Sequence, residues 1–440
     1  MDFILKDGDV LLENGFQRCD LLIREGKILQ IGEKLTAGYV SEIDCRGCYL
    51  LPGIIDMHVH TGEAVNNISL AEDEELTVRS CLQGGVTTIG AFITETVKDR
   101  LPEAYQTRNE RFEPYPINVN WHLTPVISSP DSLEELFRLG CSMKLYTTYR
   151  SAGLYSSYAE IGEMLNILSS ISRSLNRPHI PLLIHCEDDR TVEEKSDSIP
   201  FKTPFDHARR RPETAEIRAV ERVLGLALDN NYPVHIVHVS SPETALLIRE
   251  AKKSLPVTCE TAPHYLLLNE KRLQEKDGHR WLCTPPLRSE RSRGLMLELA
   301  QDGIFDTFAT DHCPFSKSDK DRYAEEPIKI PLGLAGTGAL LPILYEKLVE
   351  SGKLSFEKLL ERITVNPAKI MQLYPKKGVI RTDSDADLLV LETGEKPSES
   401  IKPSLASVYN QWAGENSSLN IRDIYLQGKK LARESWPEKV

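Results

Sequence analysis

Polar side chains suited to holding a metal ion recur at the ends of apolar segments in this sequence. The segment GIIDMHVH ends in two histidines one residue apart, and CSMKLY, LLIHCE, VHIVHVS and DTFATD each carry one further candidate. The candidates are His58, His60, Lys144, His185, His238 and Asp311. Neutral imidazoles and carboxylates are ligands that zinc prefers, and an open coordination position would hold water. These residue types predict a metal centre, if the fold brings them together.

The candidates belong to a regular series of strand-like segments. Eight apolar segments are separated by stretches long enough for a helix: 53–60, 86–93, 117–124, 141–146, 182–187, 234–240, 257–262 and 306–311. Such alternation predicts an α/β fold, a parallel (β/α)8 TIM-like barrel, because strands buried on both faces read as continuous apolar runs. An open doubly wound sheet is the alternative, but no glycine-rich phosphate-binding motif follows the first strand.

In a barrel of this kind, functional groups concentrate at the carboxyl ends of the strands. Period two places His58 and His60 on one face of their strand, so the candidates would meet at the barrel mouth. Ionised groups buried there without partners would be costly, and a pair of divalent metal ions would remove that cost. The isolated histidines His122, His235 and His264 are expected to be structural. The parity of His235 predicts that it faces a helix.

Composition restricts the class of partner. The chain has 440 residues, a formal net charge of −12 and a sequence pI near 5.5, which disfavour binding to nucleic acid or to a membrane surface. No signal peptide is recognisable, and no apolar run is long enough to span a bilayer. The nine cysteines, an odd number, are typical of reduced thiols, so we expect a cytoplasmic protein.

Several longer motifs resemble those of the amidohydrolase superfamily, and specifically its cyclic amidases: dihydroorotases, hydantoinases (dihydropyrimidinases) and allantoinases. The motifs are LPGIIDMHVH, SMKLYTTY, LLIHCE, VHIVHVSSPETA, CETAPHYLLL, TPPLRSE, ATDHCPF, VNPAKI and KGVI followed by DSDADLLVLE. They cover nearly the whole chain. The resemblance implies that residues 53–374 form the barrel, and that the strand-rich ends, 1–52 and 375–440, form a small β-sandwich.

The resemblance also implies roles for the candidate ligands. His58, His60 and Asp311 would bind the more buried of two divalent metal ions, expected to be zinc. His185 and His238 would bind the second ion. The family's members are often dimers or tetramers, which implies a homo-oligomer here.

Lys144 matches the lysine that reacts with CO₂ in hydantoinases, and its carbamate would bridge both ions. Water activated by the ions would attack a ring carbonyl, and Asp311 would pass the proton to the departing ring nitrogen. Tyr149, Thr284 and Arg288 are the expected contacts to the substrate. That substrate would be a small-molecule cyclic amide.

The identity of the ring stays open between two branches. Dihydroorotases read H-x-H-x-R, where the arginine grips the substrate carboxylate, whereas this chain has Gly62 at that position. Tyr149 and the motif ATDHCPF favour a hydantoinase, while PLGLAGTGALLPIL is closer to the dihydroorotases. Arg150 and Arg288 are candidates for a substitute clamp, although Arg150 is expected to pair with a loop carboxylate instead.

Two other functional classes are alternatives. A non-catalytic scaffold homologue would have lost metal ligands, yet every expected ligand is present. A phosphotriesterase-like or lactonase-like hydrolase on the same metal core is disfavoured by TPPLRSE and ATDHCPF. The prediction is therefore metal-dependent, ring-opening hydrolysis of a cyclic amide of the hydantoinase type, with dihydroorotase as the alternative.

Overall fold

Eight parallel strands form one sheet that wraps into a barrel. The computed structural model describes residues 2–62, 64–65, 68–95, 100–125, 130–393, 399–401 and 411–432. The strands are β1 (Phe3–Leu12), β2 (Gly15–Arg24), β3 (Lys27–Gly32), β4 (Ser41–Asp44), β5 (Cys48–Pro52), β6 (Ile54–Val59), β7 (Ala64–Val65), β8 (Ile68–Ser69), β9 (Val86–Glu95), β10 (Asn118–Pro125), β11 (Ser142–Tyr146), β12 (Leu182–His185), β13 (Val234–Ile236), β14 (Val257–Thr261), β15 (Thr307–Phe308), β16 (Leu388–Thr393), β17 (Glu399–Ser400), β18 (Asn416–Ser417), β19 (Leu419–Leu426) and β20 (Lys429–Lys430). The barrel sheet runs from β6 through β9 to β15 in chain order.

Helices follow the barrel strands and cover the outside of the sheet. They are α1 (Glu74–Gln83), α2 (Leu101–Phe112), α3 (Pro130–Arg138), α4 (Tyr158–Ser174), α5 (Asp189–Ser198), α6 (Pro204–Arg210), α7 (Glu213–Asn230), α8 (Pro242–Ala251), α9 (Pro263–Leu267), α10 (Glu290–Gln301), α11 (Lys317–Arg322), α12 (Leu340–Leu344), α13 (Phe356–Ile363) and α14 (Val365–Ile370). In the described residues, no helix is long and apolar enough to cross a membrane.

The residues after β15 close the barrel against β6. The backbone N–H of His60 donates to the carbonyl of His312 over 2.7 Å, and the N–H of His312 donates to the carbonyl of His58 over 3.1 Å. Each of the eight predicted segments overlaps one strand of this ring. The predicted (β/α)8 barrel is confirmed, because every strand that it required is present in a single parallel sheet.

The outer helices form where an apolar stripe meets a capping signal. In α4, Ile161, Leu165 and Leu168 are buried at helical spacing. Its first turn is closed by Ser157 and Glu160, whose side chains each accept a hydrogen bond from the other residue's backbone N–H. The stripe orients the helix toward the sheet, and the cap fixes where the helix begins.

A second, mixed sheet combines strands from both ends of the chain. Its order is β20, β19, β16, β5, β1, β2 and β3, with β4 beside β1. Glu25 and Gly26 have φ values of 50° and 79° and form the hairpin turn between β2 and β3. The second structural unit predicted from both termini is thus present. The boundaries 1–52, 53–374 and 375–440 stay a prediction, and residues 394–398, 402–410 and 433–440 of the last range lie outside the described residues.

Candidate active site

A cavity of about 770 Å³ lies at the carboxyl ends of the barrel strands. All six candidate ligands line it: His58, His60, Lys144, His185, His238 and Asp311. The structure therefore brings together side chains that are up to 253 positions apart in the sequence (311 − 58). The four histidines form two groups, and Lys144 lies near both.

The first group contains His58, His60 and Asp311. One nitrogen or oxygen atom from each lies within 4.8 Å of the others. Nε2 of His58 is 3.1 Å from Oδ1 of Asp311, and Nε2 of His60 is 3.9 Å from the same oxygen. Burial lowers the pKa of His58 to about 3, so its imidazole is neutral at physiological pH. A single ion between these atoms could contact all three side chains.

Glu260 on β14 orients His58 from behind. Its Oε1 contacts Nδ1 of His58, and its Oε2 lies 3.3 Å from Nε2 of His235. Burial opposes the charge of Glu260, but His58 and His235 outweigh burial and hold the pKa of Glu260 well below its ordinary value. An ionised carboxylate can only accept hydrogen bonds, so His58 donates through Nδ1. The lone pair of its Nε2 then points toward Asp311.

The second group contains His185 and His238. Nδ1 of His185 lies 2.9 Å from Nε2 of His238, and Nε2 of His185 lies 2.8 Å from Oε2 of Glu187. Arg211 pairs with the same carboxylate oxygen. Burial opposes ionisation of Glu187, but Arg211 and His185 lower its pKa to about 2. His185 therefore donates through Nε2, and its Nδ1 lone pair faces His238.

Lys144 on β11 flanks both groups. Its Nζ is 5.0 Å from the centre of the Phe92 ring, which stacks on His60, and 5.1 Å from the centre of the Tyr146 ring, which packs beside His185. Within the part of the chain that the structure describes, this ammonium makes no ion pair with a carboxylate. Burial lowers the pKa of Lys144 to about 8. A much larger fraction of the amine is therefore neutral near pH 8 than in an exposed lysine.

Strained backbone and a buried carboxylate fix the position of Asp311. Asp311 and His238 have φ values of 52° and 39°, a region that residues other than glycine rarely adopt and that is enriched at functional sites. Asp56 on β6 accepts hydrogen bonds from the backbone N–H and the hydroxyl of Thr310, over 3.0 and 2.5 Å. Burial raises the pKa of Asp311 well above its usual value, although the Lys144 ammonium opposes the shift.

Tyr149 and Thr284, two of the three predicted substrate contacts, also line the cavity. The ring of Tyr149 lies 4.9 Å from that of His185, and its hydroxyl and Thr284 are hydrogen-bonding partners. Oγ1 of Thr284 is also 3.1 Å from Nε2 of His207. Burial raises the pKa of Tyr149, so its hydroxyl stays protonated and can donate a hydrogen bond.

Neither predicted arginine clamp faces the cavity. Arg288, the third predicted substrate contact, donates to the hydroxyl of Ser240 over 2.9 Å, to the carbonyl of Arg211 over 2.6 Å and to Glu216 over 3.2 Å. Nε of Arg150 lies 2.9 Å from Oδ2 of Asp189, so Arg150 pairs with a carboxylate as expected, but that carboxylate is on the first residue of α5 and not on a loop. Neither guanidinium group is therefore placed to contact a substrate ring that is bound at the candidate metal ligands.

Two of the three histidines expected to be structural have hydrogen-bonding partners at both ring nitrogens. His122 has partners at both ring nitrogens, Ser142 and the carbonyl of Met57. His235 does not face a helix: its ring bonds to Glu260 and to Thr258. The parity argument was wrong because β13 ends at Ile236 and the backbone turns before His238, so period two does not extend that far.

Two buried glutamates were missed by the sequence reasoning. Glu187 and Glu260 are both fully buried, and each lies next to a candidate ligand. The signal was present in LLIHCE and VTCETA, where a glutamate interrupts or ends an apolar strand segment. A carboxylate at such a place needs a buried partner, but the sequence does not say which one.

Known proteins resemble this chain over almost its entire length. It is 29% identical over 447 aligned positions to a D-hydantoinase of Ralstonia pickettii, covering 99% of this chain and 96% of that protein. It is 29% identical over 409 positions to a D-phenylhydantoinase of Escherichia coli O1:K1 / APEC, covering 89% of this chain and 86% of the relative.

Solved structures agree with the sequence comparisons. A D-hydantoinase structure superposes with a TM-score of 0.89 at 28% identity, covering 98% of this chain and 95% of the other. The dihydropyrimidinase from Brevibacillus agri NCHU1002 superposes with a TM-score of 0.91 at 25% identity, covering 99% and 96%. The model of the amidohydrolase family matches residues 49–431, which include the whole barrel and every candidate ligand. This chain belongs to the amidohydrolase family.

Proposed function

We propose that this protein is a hydrolase that opens a cyclic amide by cleaving a C–N bond of the ring. The observation that carries the proposal is the pairing of two imidazole groups, each backed by a buried glutamate, around one lysine and one aspartate in a single cavity. The amidohydrolase family is metal-dependent, and this chain has a site of histidine and aspartate ligands. Its similarity to D-hydantoinases and to a dihydropyrimidinase supports a cyclic amide as the substrate.

The donor chemistry of the cavity fits two divalent metal ions. In the second group, the two facing nitrogens are 2.9 Å apart, and two nitrogens bound to one tetrahedral zinc ion at about 2.0–2.1 Å would lie about 3.3 Å apart. His58 and His185 each turn a lone pair into the cavity because a glutamate accepts their other N–H. We propose that His58, His60 and Asp311 hold one ion and that His185 and His238 hold the other, with zinc as the metal.

Lys144 is proposed to carry a CO₂-derived carbamate that contributes to both metal positions. Its Nζ lies close to both groups and has no carboxylate partner in the described residues. A neutral amine is the form that reacts with CO₂, and burial favours that form. Conversion to a carbamate replaces a buried cation with an anionic oxygen ligand, which suits a site for dications.

The chain's own residues supply proton transfer and orientation. Bound divalent ions would acidify a water molecule and polarise the ring carbonyl. Asp311 accepts the proton of the attacking water and returns it to the departing ring nitrogen, so it acts first as a general base and then as a general acid. Tyr149 donates its hydroxyl hydrogen toward the carbonyl oxygen, where negative charge develops. Thr284 keeps that hydroxyl in place.

The substrate is proposed to be a hydantoin or a dihydropyrimidine. Tyr149 and Thr284 line the cavity, so both are kept as proposed substrate contacts. The position of Arg288 does not support the contact that was predicted for it. A dihydroorotase remains the alternative, and its test is the assay below. A scaffold without metal is disfavoured, because all six candidate ligands share one cavity.

The remaining expectations are a cytoplasmic location and a dimeric or tetrameric assembly. All nine cysteines are free and buried, which suits a reducing compartment. The family's common assemblies support the oligomer, and mass measurement in solution would test it.

The first experiment is a hydrolysis assay with the enzyme reconstituted in zinc and bicarbonate. Hydantoin, dihydrouracil and dihydroorotate are offered separately, and His58→Ala is the metal-site control. We expect ring opening that depends on both zinc and bicarbonate and that the control lacks. Zinc-independent activity, or hydrolysis of esters without hydrolysis of any cyclic amide, would overturn the proposal.

A further inference from the structure

His207 on α6 is a buried histidine that the proposed mechanism does not yet use. It is only 3% exposed, and it was not a candidate from the sequence. Its Nε2 lies 3.0 Å from the carbonyl oxygen of Cys283 and 3.1 Å from Oγ1 of Thr284. Because Thr284 lines the cavity, this imidazole is separated from the active site by a single side chain.

The partners of His207 fix the position of its ring hydrogen. Burial, reinforced by Arg211, lowers the pKa of His207 to about 3, so the ring is neutral and carries a single N–H. A carbonyl oxygen can only accept a hydrogen bond, so that hydrogen is on Nε2 and is donated to Cys283. Nε2 therefore cannot accept a hydrogen bond from Thr284. The Thr284 oxygen faces the N–H as a second acceptor instead.

This direction of hydrogen bonding extends to Tyr149. The hydroxyl of Thr284 has one hydrogen, and since His207 cannot accept it, that hydrogen can be donated to the oxygen of Tyr149, the other partner of Thr284. The Tyr149 oxygen then accepts from Thr284, so its own hydrogen must be donated elsewhere. Tyr149 lines the cavity beside His185, which leaves that hydrogen for a group bound inside the cavity.

The backbone on both sides of Thr284 is held by other side chains. Nζ of Lys320 donates to the carbonyl of Leu282 over 3.0 Å, and the hydroxyl of Tyr265 donates to the carbonyl of Pro285 over 2.7 Å. Lys320 and Tyr265 are both buried, so these bonds are shielded from water. Loss of the imidazole should therefore affect the hydroxyl of Thr284 more than the path of the backbone.

We propose that His207 is a positioning residue that orients the proton of Tyr149 toward the ring carbonyl through Thr284. The inference rests on the proposed function, in which Tyr149 donates to the carbonyl oxygen where negative charge develops. A donor that already points at that oxygen needs no reorganisation during the reaction. A Tyr149 hydroxyl that could also donate to Thr284 would spend part of its time turned away. His207 removes that second orientation, because it makes Thr284 the donor.

Steady-state kinetics on hydantoin and dihydrouracil test this role in the enzyme reconstituted in zinc and bicarbonate. His207→Leu should lower kcat about tenfold and leave KM within about twofold, because the affected charge develops only in the transition state. His207→Gln places an amide N–H near the position of Nε2 and should restore most of that loss. Thr284→Val removes the hydroxyl but keeps the bond from His207 to Cys283, and it should also lower kcat about tenfold.

A double-mutant cycle with Tyr149→Phe separates this role from a purely structural one. Removing a hydrogen-bond donor to a developing oxyanion costs about 10²–10³-fold in kcat. In the Tyr149→Phe background, His207→Leu should cost less than about twofold more, because no phenol proton is left to orient. His279→Leu is the matched control, since this histidine shortly precedes Thr284 but bonds to Asp321 over 2.8 Å. The control should leave kcat within about twofold in both backgrounds.

NMR gives a second readout that does not depend on turnover. In enzyme whose tyrosines carry an isotope label at Cζ, the signal of Tyr149 is the one that Tyr149→Phe removes. The chemical shift of this carbon responds to hydrogen bonds at the phenol oxygen. We expect the signal to move in His207→Leu and in Thr284→Val, and to stay in place in His279→Leu.

The outcomes separate this inference from the proposed function. A loss of kcat that disappears in the Tyr149→Phe background, with a shifted Tyr149 signal, would support it. An equal loss in both backgrounds, a loss shared by His279→Leu, or an unmoved signal would overturn it while leaving the cyclic amidase intact. If the enzyme opens no cyclic amide, the proposed function fails, and the NMR comparison alone decides whether His207 orients Tyr149. If His207→Leu does not fold, Thr284→Val decides on both readouts.

Discussion

His58 and His185 each donate a ring N–H to a buried glutamate, yet the two glutamates are held in different ways. Glu260 lies 202 positions from its histidine along the chain and reaches it across the barrel. Glu187 lies only two positions from His185 and is paired with an arginine. One histidine is therefore oriented by the closure of the barrel, and the other by a local ion pair.

The difference extends to the neighbours of each carboxylate. Glu260 contacts His58, the ring of His235 and, over 3.3 Å, the backbone N–H of His238, so it joins elements from three strands. Glu187 has the charge of Arg211 beside it. The first metal position should thus be sensitive to geometry and the second to charge.

The largest effect is expected from Asp311→Asn, which removes the carboxylate of the first group and leaves the second group unchanged. Turnover should fall by about 10³-fold or more, because an asparagine cannot carry the proton between water and the ring nitrogen. Metal should be retained in part, since His185 and His238 do not depend on Asp311. Activity assays with metal analysis of the same sample measure both. A variant with nearly full activity would remove Asp311 from proton transfer.

Glu260→Gln and Glu187→Gln should separate metal affinity from stability. Losing an orienting carboxylate typically weakens metal binding by about 10–100-fold, and we expect Glu260→Gln to lie at the upper end because Glu260 has the larger set of partners. Glu187→Gln should instead cost the most stability, about 3 kcal/mol, because it leaves the buried charge of Arg211 without its partner.

Zinc titration and urea unfolding of the two variants measure these effects, with Glu134→Gln on the exposed face of α3 as the control. The contrast fails if Glu187→Gln binds zinc more weakly than Glu260→Gln, or if Glu260→Gln is the less stable of the two.

The barrel and its six candidate ligands could be predicted because short segments of the sequence indicate both. Each strand is a continuous apolar run, and each ligand lies in such a run or just after it, so the parallel fold itself brings His58 and Asp311 to one mouth. The prediction failed for the side-chain direction of His235, because its strand ends earlier than the apolar run. The sequence does not reveal that β13 stops at Ile236, and the parity of His235 therefore misled.

The contacts behind the ligands are not local and could not be predicted in the same way. Glu260 could have paired with any buried donor, and the choice of His58 depends on how the barrel closes. Arg108 on α2 reads as one more charged residue of an amphipathic helix, yet its Nη1 donates to the carbonyl of Gly62 over 3.0 Å. Such partners are selected by three-dimensional packing, which periodicity does not encode.

The smallest effect is expected from Arg211→Gln, and it should appear as a pH dependence. Arg211 and His185 lower the pKa of Glu187 to about 2 against the opposing effect of burial. Without the guanidinium, the effect of burial is less strongly opposed and the pKa of Glu187 rises. The Glu187 carboxylate then takes up a proton as pH falls and no longer accepts the N–H of His185. Zinc affinity should therefore weaken several-fold more at pH 6 than at pH 8.

His235→Gln is the matched change behind Glu260, because it keeps a hydrogen-bond donor and removes no guanidinium. Zinc titration at both pH values measures its affinity. Between pH 8 and pH 6, that affinity should change by the same factor as the affinity of the unmodified enzyme. If Arg211→Gln shows no steeper pH dependence than His235→Gln, the second position is not governed by charge. Glu187 and Glu260 would then orient their histidines by geometry alone.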